Sequence, residues 1–132
     1  MAQVALNNIT KTFDGGVVAV KDLSLKITDG EFLVLLGPSG CGKTTTLRMI
    51  AGLDTQTSGD IFIGERRVND LRAGDRDIAF VFQFYALYPH LTVWDNISFP
   101  LRAQNLPAKE VEQRVNDVAE RLRISHLLKK RP

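Results

Sequence analysis

The chain has 132 residues, 44% of them hydrophobic and 24% charged, an ordinary balance for one soluble globular domain. Its formal net charge of +2 is too small to argue for nucleic acid as a partner, and its single cysteine excludes an internal disulfide framework and suits a reducing cytoplasm. No apolar run approaches the roughly 18 residues needed to span a bilayer, and no signal-peptide pattern opens the chain, so membrane association is expected through a partner.

Val4 to Thr10 reads as a first strand, Asp14-Gly15-Gly16 as a turn and Val17 to Val20 as the returning strand of a hairpin. Phe13, just before the turn, suits either a hairpin core or a flat surface on which adenine stacks. Leu23, Leu25 and Ile27 alternate with polar residues, as in a half-buried strand. After the Asp29-Gly30 turn, the continuous apolar run Phe32 to Leu36 predicts a strand buried on both faces.

Gly37-Pro38-Ser39-Gly40-Cys41-Gly42-Lys43-Thr44-Thr45 follows at once and fits the phosphate-binding loop pattern. A triphosphate needs several converging donors, and side chains would hold the backbone away. The glycines leave that space, so successive N–H groups can form an anion nest at the start of a helix. Lys43 is assigned to the β- and γ-phosphates, Thr44 to Mg²⁺ and Thr45 to the phosphates, with Ser39, Gly40, Cys41 and Gly42 lining the nest. Cys41 reads as a small loop residue rather than a redox centre. Leu47, Ile50 and Ala51 at helical spacing predict the following helix, which Gly52 stops.

Ser58-Gly59-Asp60 turns the chain into a short strand, Ile61 to Ile63, with a hairpin tip at 64–67 and Val68 on the return. Residues 72–77 are polar and predict a surface loop. Ile78 to Phe82 is a second apolar run, expected as a second buried strand, ending at Gln83. Ligands of open parallel sheets sit beyond the carboxyl ends of the strands, and a glutamine there could coordinate metal or water without adding charge. On sequence alone, an ordinary surface glutamine fits better.

Phe84 to Leu91 is largely apolar and aromatic, which suits either a loop folded into the core or an exposed docking surface. Thr92 is a candidate N-cap for a helix through Trp94 and Ile97 toward Leu101, which Pro100 should shorten or kink. His90 has no partners at metal-ligand spacing and receives no catalytic role. Pro107 suits a first helical position, and Val111, Val115, Val118 and Leu122 form one apolar stripe on the next helix. Leu127 and Leu128 fit a short final helix, and Lys129-Lys130-Arg131 a solvated helix end.

Together these residues resemble one family, the ATP-binding subunits of ABC transporters, and within it the bacterial carbohydrate importers of the maltose and glycerol-phosphate type. The resemblance is carried by Gly37 to Thr45, Arg48 to Leu53, Thr57 to Ile61, Val81-Phe82-Gln83 and Tyr85 to Val93. It implies an α/β fold: a P-loop NTPase, RecA-like core with an antiparallel β subdomain over residues 1–90, and the start of a helical subdomain over 91–132. It implies ATP and Mg²⁺ as ligands, Phe13 as the adenine-stacking aromatic, and Gln83 as the residue joining Mg²⁺ and attacking water to the transporter interface. It makes Tyr85, Ala86, Leu87, Tyr88, Pro89 and His90 the surface that receives a transmembrane permease. A second ATP-binding subunit and a place on the cytoplasmic face of the cell membrane are implied as well.

The family continues with a Leu-Ser-Gly-Gly-Gln signature, a strand aspartate, a catalytic glutamate and a switch histidine. None is present, so the chain reads as the N-terminal half of a truncated ABC ATPase domain. Without the missing strands, one of the two apolar runs is expected to present an unpaired edge that drives self-association. Three functions compete: an ATP-binding portion of a sugar importer, a fragment that holds nucleotide or permease without turnover, and a P-loop ATPase with no transporter. The Tyr85 to Val93 segment argues against the third.

Overall fold

The computed structural model describes residues 2–132. They divide into two compact units, residues 2–80 and 81–132.

In the first unit, strands β1 (Val4–Thr12), β2 (Val18–Ile27), β3 (Ser58–Ile63) and β4 (Arg66–Arg67) form an antiparallel sheet in the order β2-β1-β3-β4. The expected hairpin is present, closed by Phe13 N–H to Val17 O at 2.9 Å. Its second strand is longer than the sequence reading, because the Val18–Val20 and Leu23–Ile27 segments join into one. Pairing is irregular where Leu6 faces Leu25 and Ile9 faces Leu23. Leu6 and Ile9 are three positions apart, which in a regular strand would put them on opposite faces. The shift between them, with Asn8 at φ 50°, turns both into the core, where they are 2% and 1% exposed. Val20, Met49, Ile61 and Val68 complete that core.

Helix α1 (Lys43–Ile50) lays Thr46 and Met49 inward. Leu47, counted on the helix's apolar side from spacing, is exposed instead. Gly52, at φ 74°, ends the helix with its N–H on Met49 O.

The two apolar runs depart from expectation. Neither Phe32 to Leu36 nor Ile78 to Phe82 enters a sheet ladder. Phe32, Leu36 and Val81 are 91%, 88% and 82% exposed. A strand buried on both faces needs hydrogen-bonded neighbours and covering layers, and the sheet of this unit is built from other segments. The polar 72–77 segment is also only partly a surface loop: it contains a short 3-10 turn, Ala73–Asp75, but Arg76 is buried.

In the second unit, α2 (Val93–Ala103) packs on α3 (Ala108–Arg121), followed by a 3-10 turn, Ser125–Leu127. Thr92 caps α2 as the sequence indicates, its hydroxyl accepting from Asp95 N–H at 3.0 Å. Pro100 lies within α2 but does not shorten it. Pro107 stands at the N-cap rather than the first helical position. The stripe on α3 buries Val111, Val115 and Ala119 and leaves Val118 and Leu122 exposed, because a spacing of four follows the core face better than the mixed spacing read from the valines.

Candidate nucleotide site and docking loop

Residues 37–42 form one continuous loop that opens into α1 at Lys43. Two glycines there are dictated by close approach. A Cβ on Gly42, whose φ is 90°, would lie 2.5 Å from Ala19 O of β2; one on Gly37 would lie 2.6 Å from Cys41 Sγ. The loop is therefore seated against β2 by the absence of side chains. Gly42 stands at the N-cap of α1 with no side-chain cap, and the first turn has no acidic residue. The first N–H groups of a helix have no intrahelical partner and carry its positive end. Nothing anionic in the first turn competes for them.

Lys43 folds over this concavity. Its ammonium donates to Gly37 O at 2.8 Å and Pro38 O at 2.7 Å, and it lies 3.4 Å from Cys41 Sγ. The loop thus holds its own cation over the nest. Thr46 is tied to Gly42 O at 2.9 Å by its hydroxyl, which fixes the first turn. Ser39, Gly40, Cys41 and Thr44 are exposed, and Thr45 is half-buried. A cavity of about 510 Å³ lies behind the loop, walled by Val20, Leu23 and Leu25 of β2, by Leu35, and by Cys41 and Lys43.

Phe13 belongs to the same unit and is 41% exposed. Lys11 Nζ sits 4.9 Å from its ring centroid and donates to Thr55 O at 2.7 Å. One ring face is thereby polarised by a cation. The sequence reading missed this contact, since an alternate-residue lysine on a strand carries no special mark.

Gln83 belongs to the second unit and opens an exposed turn. Tyr85, Ala86, Leu87, Tyr88, Pro89 and His90 are all exposed. Tyr85 and Ala86 have φ values of 60° and 51°, and Ala86 N–H donates to Phe84 O at 2.7 Å. Tyr88 packs against Phe99 of α2, ring centroids 5.1 Å apart, and edge-on to His90 at 6.0 Å. The residue that organises this segment is Asn96. Its Oδ1 accepts from Tyr88 N–H at 2.9 Å, and its Nδ2 donates to Tyr88 O at 3.1 Å and Thr92 O at 2.9 Å. Asn96 went unnoticed in the sequence because an asparagine inside a predicted helix has no distinguishing spacing.

Among the described residues no group of three His, Cys, Asp or Glu could hold a metal ion. Hydroxyl and amide groups such as those of Thr44 and Gln83 fall outside that class. No helix among them is long and apolar enough to cross a membrane.

Comparison with known proteins identifies the family. The family profile described as ABC transporter matches residues 20–132. The chain is 55% identical to the trehalose/maltose import ATP-binding protein MalK of Thermococcus litoralis, over all of this chain and 37% of that protein. It is 56% identical to the maltose/maltodextrin import ATP-binding protein MalK of Salmonella typhimurium, over all of this chain and 36% of that one. It is 52% identical to an sn-glycerol-3-phosphate import ATP-binding protein, UgpC 3, of Agrobacterium fabrum, over all of this chain and 37% of that one. It therefore spans little more than a third of the length of these relatives. Among solved structures it is similar to a dimeric ATP-binding cassette in a post-hydrolysis state bound to ADP and Pi, with a TM-score of 0.87, 33% identity, and coverage of 98% of this chain and 61% of that one. With the loop, the hairpin and the profile in agreement, the chain belongs to the ABC transporter family and shares the fold of its ATP-binding cassettes.

Proposed function

We propose that this chain is the ATP-binding portion of an importer ATPase whose full-length form energises sugar uptake by ATP hydrolysis. The observation that carries the reading is the glycine-built cradle at the start of α1, with the Lys43 ammonium already drawn over it. Residues 39–45 would hold the phosphates, with Lys43 leaving its loop carbonyls for the β- and γ-oxygens. Phe13 would stack on adenine. Mg²⁺ would be held by Thr44 and Gln83, and when bound it would neutralise charge on the phosphates. Gln83 would position water. Residues 1–90 would form the ATP-binding core and 91–132 the start of a helical subdomain.

The exposed Tyr85 to His90 segment, held by Asn96, would dock on a transmembrane permease and so bring the subunit to the cytoplasmic face of the membrane. A second such subunit would complete the assembly. The sugar-importer assignment leans on the relatives' names and on the Tyr85 to Val93 segment.

Titration of Mg-ATP into this chain by calorimetry, with Lys43→Ala and Phe13→Ala alongside, tests the reading. Saturable binding is expected, weakened roughly tenfold or more by Lys43→Ala, since a charge-assisted hydrogen bond contributes about 1.5–3 kcal/mol. No binding by the unaltered chain, or binding indifferent to Lys43, refutes it.

A further inference from the structure

Arg76 is a buried cation that the nucleotide reading leaves without a task. It is 5% exposed. Its guanidinium reaches four backbone carbonyls: Nη1 donates to Met49 O at 2.7 Å and Ile50 O at 3.0 Å, Nε to Leu71 O at 3.1 Å, and Nη2 to Asn69 O at 3.5 Å. Met49 and Ile50 close α1, so both carbonyls lie in the last turn, where i+4 partners run out; Met49 O also accepts from Gly52 N–H at 3.2 Å. A cation there also answers the negative end of the helix dipole. Gly52 makes room, since a Cβ on it would stand 2.5 Å from Arg76 Nε. Only a planar fork with five donors serves so many acceptors at once; an ammonium has three donors and no fixed plane.

The phosphate loop is at the opposite end of the same helix. An α-helix of this size is a stiff rod about 12 Å long, so a clamp on one end sets the direction of the other. We propose that Arg76 is a positioning residue for the phosphate loop: by tying the C-terminal carbonyls of α1 to the Asn69–Leu71 return, it fixes the orientation in which the loop N–H groups and Lys43 meet the phosphates of a nucleotide. This rests on the nucleotide-binding reading above. A staple that serves only the fold would weaken every ligand alike. A positioning residue weakens ligands in proportion to how much of the cradle they use.

The test compares Mg-ATP, which spans the cradle, with AMP, whose single phosphate does not reach Lys43. Both are titrated by calorimetry into Arg76→Met, Arg76→Lys and Asp54→Asn forms of this chain, with urea unfolding of each. Asp54 pairs with Arg48 at 2.7 Å near the same end of α1, with no hydrogen bond or ion pair to Arg76 among the described residues, and serves as the control. Arg76→Met is expected to lose about tenfold in Mg-ATP affinity and less than about threefold for AMP, Arg76→Lys to recover part of the difference, and Asp54→Asn to match the unaltered chain. Equal losses for both ligands, or an Mg-ATP affinity unchanged in Arg76→Met, overturns the proposal. If Arg76→Met does not fold, Arg76→Lys decides: a loss confined to Mg-ATP upholds it, and an equal loss or none overturns it. Failure of the unaltered chain to bind Mg-ATP would instead strike the nucleotide reading itself.

Discussion

Alanine substitution at Gly42 and Gly40, with Gly74 as an unstrained reference outside the loop, separates the two physical reasons for glycine in the loop before α1. Gly42 combines both. Its φ of 90° costs a residue with a Cβ about 1–2 kcal/mol. Its new methyl would also lie 2.5 Å from Ala19 O and 3.1 Å from Val20 Cγ2. Ala19 and Val20 belong to β2, so the carbonyl cannot swing away as a side chain would. Overpacking of this kind adds about 1–3 kcal/mol, which brings the expected loss for Gly42→Ala to about 2–5 kcal/mol. Gly40, at φ 80°, has no neighbour within 4 Å, so Gly40→Ala carries only the conformational part, about 1–2 kcal/mol. Gly74 has neither strain nor neighbours within 4 Å, and Gly74→Ala should fall within about 0.5 kcal/mol of the parent or stabilise it. Urea midpoints at constant m-value give the order directly. If Gly42→Ala proved no worse than Gly40→Ala, the loop would not be seated against β2, and the geometry given for the cradle would be wrong.

Three further expectations concern other parts of the chain. Thr92→Ala should cost the second unit about 1 kcal/mol through the lost cap. The Thr92 side-chain hydrogen bond is also the main reason the Asp95 carboxyl is held below its usual range, with its backbone contact and Arg102 assisting. A depressed folded-state value means that this contribution is complete above the unfolded value, about pH 3.9, and is lost as pH falls through the lower folded one. The gap between parent and Thr92→Ala should therefore narrow below about pH 4 in urea titrations; a constant gap contradicts the assignment. Asn96→Ala removes the partners of the Tyr88 N–H and C=O, exposed bonds contributing about 0.5–1.5 kcal/mol each, so hydrogen exchange at the Tyr88 amide should accelerate; unaltered protection would show that Asn96 does not order the segment. Light scattering should find the chain self-associated through its exposed apolar runs, less so in a Phe32→Asp, Val81→Asp variant, and a monomeric parent would refute that.

The local grammar of this chain was readable wherever one residue type has one physical use. The glycines of the phosphate loop, the Thr92 cap and the Asp14–Gly16 turn fall where their chemistry requires. What escaped was tertiary. Arg76 looks like any cation in a polar run, and only the fold brings the end of α1 to it. Leu6 and Ile9 share a face only because of the irregularity at Asn8, which strict alternation cannot anticipate. Continuous hydrophobicity in the two apolar runs reports what a segment would gain by burial, whereas the four-stranded sheet forms from other segments. Val118 and Leu122 were misjudged for a related reason: a helix drifts relative to a fixed pattern, and Ala119 supplied the buried turn without standing out in sequence.

The starts of α1 and α2 have opposite chemical availability. At α2, Val93 N–H donates to Lys130 O at 2.8 Å, Trp94 N–H to Leu128 O at 2.9 Å, and Asp95 N–H to the Thr92 hydroxyl. Every leading donor of that helix is spoken for, two of them by a segment some thirty-five residues downstream. A wandering anion finds nothing to displace there except strong neutral acceptors, whereas at α1 it meets a glycine N-cap with no side-chain cap and a lysine that only has to turn. The same closure makes residues 88–96 hostage to residues 128–130: loosening the downstream carbonyls would fray α2 from its first turn and, through Asn96, release Tyr88. The exposed Tyr85–His90 segment and the segment that follows α3 are thus mechanically one piece.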